Sequence, residues 1–152
     1  MVNATIYIEG GSSGPDSKEM QVRCREGFRK LLEKCGFQGR MPRLSACGGR
    51  DAVFSDFSTA HANRSTRHYV AMWLDSEDPV KDIEKAWDHL GNVKVQQSLE
   101  EATRDCTSPY SKGKQSYALL GMLAPAELAR CLPSFVRVRR ILDEKLQAPS
   151  PP

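Results

Sequence analysis

The chain has 152 residues, 39% of them hydrophobic and 27% charged, which suits one domain with a proper core. No apolar run is long enough to span a bilayer, and "MVNATIYIEGG" lacks the basic region and cleavage site of a secretory signal, so a cytoplasmic, membrane-free protein is expected. A net charge of +3 permits a nucleic-acid partner without demanding one.

"ATIYIEGG" reads as a first strand, rich in β-branched and aromatic residues and stopped by two glycines. "SSGPDS" is a loop, with Asp16 or Ser17 placed to cap a helix. In "KEMQVRCREGFRKLLEKCGF" the residues Met20, Cys24, Phe28, Leu31, Leu32 and Cys35 recur at helical spacing, and Gly36 supplies a helix stop. "RMPRLSACGGR" gives a second strand ending at Gly48 and Gly49. A short helix is expected from "DAVFSDFSTAHAN", with Asp51 as its cap and Val53, Phe54, Phe57 and Ala60 on one side. "RHYVAMWLD" is a third strand whose continuous apolar run suits cover on both faces.

After Pro79 the pattern turns helical, through "KDIEKAWDHLG" and "QQSLEEATRDC". A polar loop, "TSPYSKGKQS", precedes two or three short helices cut at Pro125 and Pro133. The tail "QAPSPP" has a disordered composition. The expected organisation is an α/β core over residues 1–92, a helical C-terminal region over 93–146 packed on it, and a tail at 147–152. Alternation of strands and helices predicts a parallel sheet of three to four strands with flanking helices.

Ligands of such sheets bind beyond the carboxyl ends of the strands. Three stretches fall there: Glu9-Gly10-Gly11, Gly48-Gly49-Arg50 and Asp75-Ser76-Glu77-Asp78. Grouped carboxylates repel one another unless a cation neutralises them, and an all-oxygen set suits Mg2+ or Mn2+. The same "DSEDP" also reads as a solvated acidic turn capping a helix, and the glycine pairs as plain turns. Arg50 offers a donor fork for a phosphate, and Lys112 and Lys114 flank Gly113 in a loop that is either solvated or in contact with a phosphate backbone.

The five cysteines are odd in number and scattered, which argues against a disulfide framework or a zinc site. Neither a Walker loop nor a GxSxG elbow is present.

Taken together, "IYIEGG", "CREGFRKLLEKCG", "RMPRLSACGGRDAVFSDF" and "LDSEDPV" resemble a small bacterial Toprim-like family of mostly unknown function, and "ATRDC…YSKGKQSYALLGMLAP" resembles its C-terminal region. The family is similar to the Toprim domains of topoisomerases, primases and overcoming-lysogenization-defect nucleases. Its members are often encoded beside an ABC-type ATPase in phage-defence systems. The Toprim pattern is a glutamate after the first strand and DxD after the third. Glu9 and Asp75 match it, and Glu77 stands in the place of the second aspartate.

The resemblance implies that Glu9, Asp75 and Glu77, supported by Asp78, hold Mg2+ or Mn2+ and serve phosphodiester cleavage, with Glu9 as a ligand or as the proton-transfer group. Gly10, Gly11, Arg50, Lys112 and Lys114 would meet the backbone of DNA or RNA, and a separately encoded ATPase would be the partner. The chain departs from the family between "WDHL" and "ATR", where a further strand and helix are missing. That loss opens the alternative of a catalytically inactive Toprim-like partner or regulator of an ATPase.

Overall fold

The computed structural model describes residues 3–11, 15–74, 101–107 and 114–146. The expected helix at "KDIEKAWDHLG", the start of "QQSLEEATRDC" and the tail lie outside the described residues. Three strands and five helices are described: β1 (Asn3–Glu9), α1 (Ser17–Lys34), β2 (Arg43–Gly48), α2 (Arg50–Ala62), β3 (His68–Trp73), α3 (Lys114–Met122), α4 (Pro125–Cys131) and α5 (Pro133–Lys145). The strands form one parallel sheet in the order β2-β1-β3. The protein is therefore α/β, as its alternating pattern predicts.

β1 is the central strand, and its alternation decides the layers. Ala4, Ile6 and Ile8 are buried on one face, where they join Leu31 and Leu32 of α1 and Phe37 in a single core cluster. Right-handed connections running in opposite directions from β1 and β2 send α1 and α2 to opposite faces. Consistent with this, the fully buried Val53 of α2 lies outside that cluster. Thr5, on the α2 side of β1, is buried and hydrogen-bonded to Nε2 of His68 at 2.9 Å, which ties β1 to β3.

α1 ends as its sequence requires. Gly36 takes φ +89°, its N–H bonds the Glu33 carbonyl, and the N–H of Phe37 reaches back to the Leu32 carbonyl. This crossed pair satisfies two carbonyls at the helix end and turns Phe37 inward, where it is fully buried. Arg40 then stacks its guanidinium over the Phe37 ring at 4.7 Å and bonds Asp143 of α5 at 2.7 Å.

Several local expectations need correction. Asp16 occupies the cap position of α1 but makes no side-chain cap bond. α2 begins two residues earlier than its acidic residue suggested: Gly49 is the cap, Arg50 the first helical residue, and Asp51 sits in the first turn. Phe54 was expected inward with Val53 but is 58% exposed, because α2 contributes only Val53 to a buried position. In β3 Val70 is buried on the same face as Thr5, while Tyr69, Ala71 and Trp73 are partly buried against the core on the other. Both faces are thus covered, though less fully than in β1; β3 is the outer strand of the described sheet. α3 starts at Lys114, so the polar loop ends earlier than its composition implied.

The C-terminal helices are cut where the prolines fall, with Pro125 and Pro133 each opening a helix. Leu142 and Leu146 enter the same core as Ile6 and Ile8. Across the sheet edge, Phe28 of α1 meets Trp73 of β3 with ring centroids 5.4 Å apart.

Leu142 is 2% exposed, so Leu142→Ala should cost about 2–5 kcal/mol of stability through lost burial and the cavity left behind. Urea unfolding followed by circular dichroism checks this. A variant as stable as the wild type would mean that α5 does not close the core.

Candidate functional site

The carboxyl edge of the sheet is shaped by a bulge. β1 and β2 run in register as far as Ile8 opposite Ala46, and then Glu9 faces Gly48, leaving Cys47 without an opposite number. Beyond the bulge the two chains exchange both backbone hydrogen bonds between Gly10 and Gly48, each 3.0 Å long. Gly48 holds φ +88°, a conformation that a side chain would strain, and the chain turns there directly into α2.

That turn sets Arg50 beside Glu9. Arg50 Nε lies 3.6 Å from Glu9 Oε2; the glutamate side chain is 17% exposed and the arginine 40%. The first two of the three stretches expected at this edge, Glu9-Gly10-Gly11 and Gly48-Gly49-Arg50, are thus brought together. Asp75, Glu77 and Asp78, as well as Lys112, lie outside the described residues. Lys114 is the first residue of α3, and its side chain lies outside the described set.

Next to this pair a cleft of about 410 Å³ is lined by Ser17 and Gln21 of α1, Cys47, and Gly48 to Ala52 at the start of α2. Residues from the N-terminal parts of two helices therefore border one space, with Arg50 and Asp51 both on its wall.

Sequence reasoning missed Tyr117. The N–H of Gly11 donates to the Tyr117 hydroxyl oxygen at 2.8 Å, and that hydroxyl and the Cys24 thiol both adjoin Gly10. A Cβ on Gly10 would lie 2.5 Å from Cys24 Sγ and 2.9 Å from the Tyr117 hydroxyl, and one on Gly27 would overlap the Tyr117 carbonyl. Two glycines thus make room for one tyrosine. No local signal announces this, since "SYALLG" reads as an ordinary helix face.

Burial pushes the Cys24 thiol up from 9.0 to about 11, with the Tyr117 hydrogen bond opposing the shift. Burial likewise raises Cys47 and Tyr117. These groups stay neutral at physiological pH, so neither thiol here is an activated nucleophile.

Among the described residues no group of three or more His, Cys, Asp or Glu side chains converges as a metal site. Glu9 suits one position in a magnesium shell, since Mg2+ takes one or two carboxylates and keeps several waters. The remaining carboxylates would have to come from residues 75–78, which come directly after β3 in the sequence. No helix among the described residues is long and apolar enough to cross a membrane. No family model, curated protein or solved structure matches the chain.

The raised thiol predicts a pH effect on folding. Below pH 9 Cys24 is neutral in both states and contributes no slope. Between pH 9 and about 11 it ionises in the unfolded chain but not in the folded one, so stability falls as pH rises. Urea unfolding at pH 8, 9, 10 and 11 should show the decline, and Cys24→Ala should reduce its slope. An unchanged slope in that variant would place the titrating group elsewhere.

Proposed function

We propose that the protein is a metal-dependent phosphodiester-cleaving protein of Toprim-like type, acting on DNA or RNA together with a separately encoded ATPase in a bacterial defence system. The observation that carries this reading is the strand order. β1, ending in Glu9, is central, and β3 pairs beside it in parallel with Ile8 opposite Trp73. Glu9 thus ends one strand, the acidic run follows another in the sequence, and those two strands are parallel neighbours that end at the same edge. That is the relation the Toprim pattern of Glu9, Asp75 and Glu77 needs.

In this reading Glu9, Asp75 and Glu77 would hold Mg2+ or Mn2+, with Asp78 supporting them. The bound ion would polarise a phosphoryl oxygen or activate water. The chain's own residues do the rest. Glu9 lies beside the Arg50 guanidinium and, as the alternative to ligating the ion, would take or return a proton at a scissile phosphate. Arg50 lines the cleft, and its donor fork would suit a phosphate there. Lys112 and Lys114 add positive charge for the backbone, a contribution that salt screens.

A second reading, an inactive Toprim-like partner of the ATPase, is favoured by the apolar surface of the C-terminal helices. Met122 is 73% exposed, and Leu119, Leu132 and Val136 are each 46% exposed. Such side chains suit contact with another protein.

Incubating the protein with supercoiled plasmid or single-stranded RNA and Mg2+ or Mn2+, with and without the neighbouring ATPase, separates the two. Glu9→Gln and Asp75→Ala should each lower cleavage by about 10²–10⁴-fold with the fold intact. Undiminished cleavage in either variant rejects the assignment of the acidic residues. No cleavage by the wild type, with stable copurification of the ATPase, supports the partner role.

A further inference from the structure

We propose that Tyr117 is the positioning residue of the Glu9 edge, so that the helix α3 forms part of the site rather than an accessory to it. The inference rests on the reading of Glu9 as a site residue. Its physical basis is a chain of short contacts. The Tyr117 hydroxyl accepts the Gly11 N–H at 2.8 Å across 106 residues of sequence, and with the Cys24 thiol it adjoins Gly10. Gly11 holds φ +93°, so this bond stabilises a turn that few residues adopt.

Gly10, the preceding residue, has no side chain and rests directly on Cys24 and Tyr117. On its other side it exchanges two hydrogen bonds with Gly48, from which the chain turns through Gly49 into Arg50, the ion partner of Glu9. Glu9 is therefore bounded by a backbone clamped from two directions, by Gly48 and by Tyr117. Removing the hydroxyl leaves the Gly11 N–H without its acceptor and releases one side of that clamp. The strand, fastened by its own ladder, is left in place.

The test is to titrate 15N-labelled wild type, Tyr117→Phe, Cys24→Ala and Glu9→Gln with Mn2+, following the Gly10 and Gly11 amide signals. Plasmid cleavage and thermal unfolding in EDTA are measured on the same samples. In the wild type, Mn2+ should broaden both glycine signals. Tyr117→Phe should need about ten-fold more Mn2+ and lose kcat in proportion. Its KM for plasmid should stay at the wild-type value, and its unfolding midpoint should stay within about 4 °C.

Cys24→Ala keeps the Gly11 bond and should keep the Mn2+ response, which shows that disturbing this buried corner is not enough. Equal losses in the Tyr117 and Cys24 variants would mean a general structural effect and overturn the inference. So would a Tyr117→Phe protein with wild-type Mn2+ response and kcat while Glu9→Gln has lost both, and in that case the site reading survives. Wild-type glycine signals that ignore Mn2+ would overturn the site reading and this inference together.

Discussion

The pair of backbone hydrogen bonds between Gly10 and Gly48 is the constraint on which the rest of the functional edge depends. Two parallel strands ordinarily diverge at their carboxyl ends into separate helices. Here the bulge at Cys47 lets β2 fold back onto the end of β1 before α2 begins. The consequence is electrostatic: the first residue of α2 is an arginine, and the turn delivers it to the last residue of β1, a glutamate. Neither residue needs to bend far from its element, so the charge pair is set by backbone geometry more than by side-chain attraction. A partly exposed ion pair contributes little stability of its own.

The absence of side chains recurs through this region for different reasons. Gly11 and Gly48 are needed for their positive φ angles. Gly10 and Gly27 are needed for space, because sulfur, phenol and backbone occupy the positions where a methyl group would sit. Gly10 and Gly27 let Tyr117 of α3 lie close to both the sheet edge and α1.

Much of the fold was legible because its signals are local. The alternation in "ATIYIE", the helical spacing from Met20 to Cys35 and the stop at Gly36 each depend on residues only a few positions apart, and each element formed where expected. Pro125 and Pro133 also acted locally, opening α4 and α5. The failures have a different origin. Asp51 has the chemistry of a cap, but the turn at Gly48 starts α2 earlier, so Gly49 takes that position. Phe54 has the hydrophobicity of a core residue, yet α2 turns Val53 inward, with Phe57 and Ala60 partly buried, and leaves Phe54 exposed. The Cys47 bulge is a mismatch in count between two strands, which neither strand reveals alone. Of the candidate site, Glu9 with its glycines and Arg50 were visible as types. Tyr117 was not, since its partner lies 106 residues away.

The placement of Leu142 and Leu146 in the same core as Ile6 and Ile8 has a temporal side. A ribosome makes β1, α1, β2 and α2 first, and these can begin to assemble while the rest of the chain is still being synthesised. One face of the sheet nevertheless keeps an apolar opening until residue 146 has emerged. During that interval Leu31, Leu32 and Phe37 lack the cover that Leu142 and Leu146 supply. The last turns of the described chain thus complete the core that the first strand begins, and a chain cut short of them leaves that apolar face without the cover of α5.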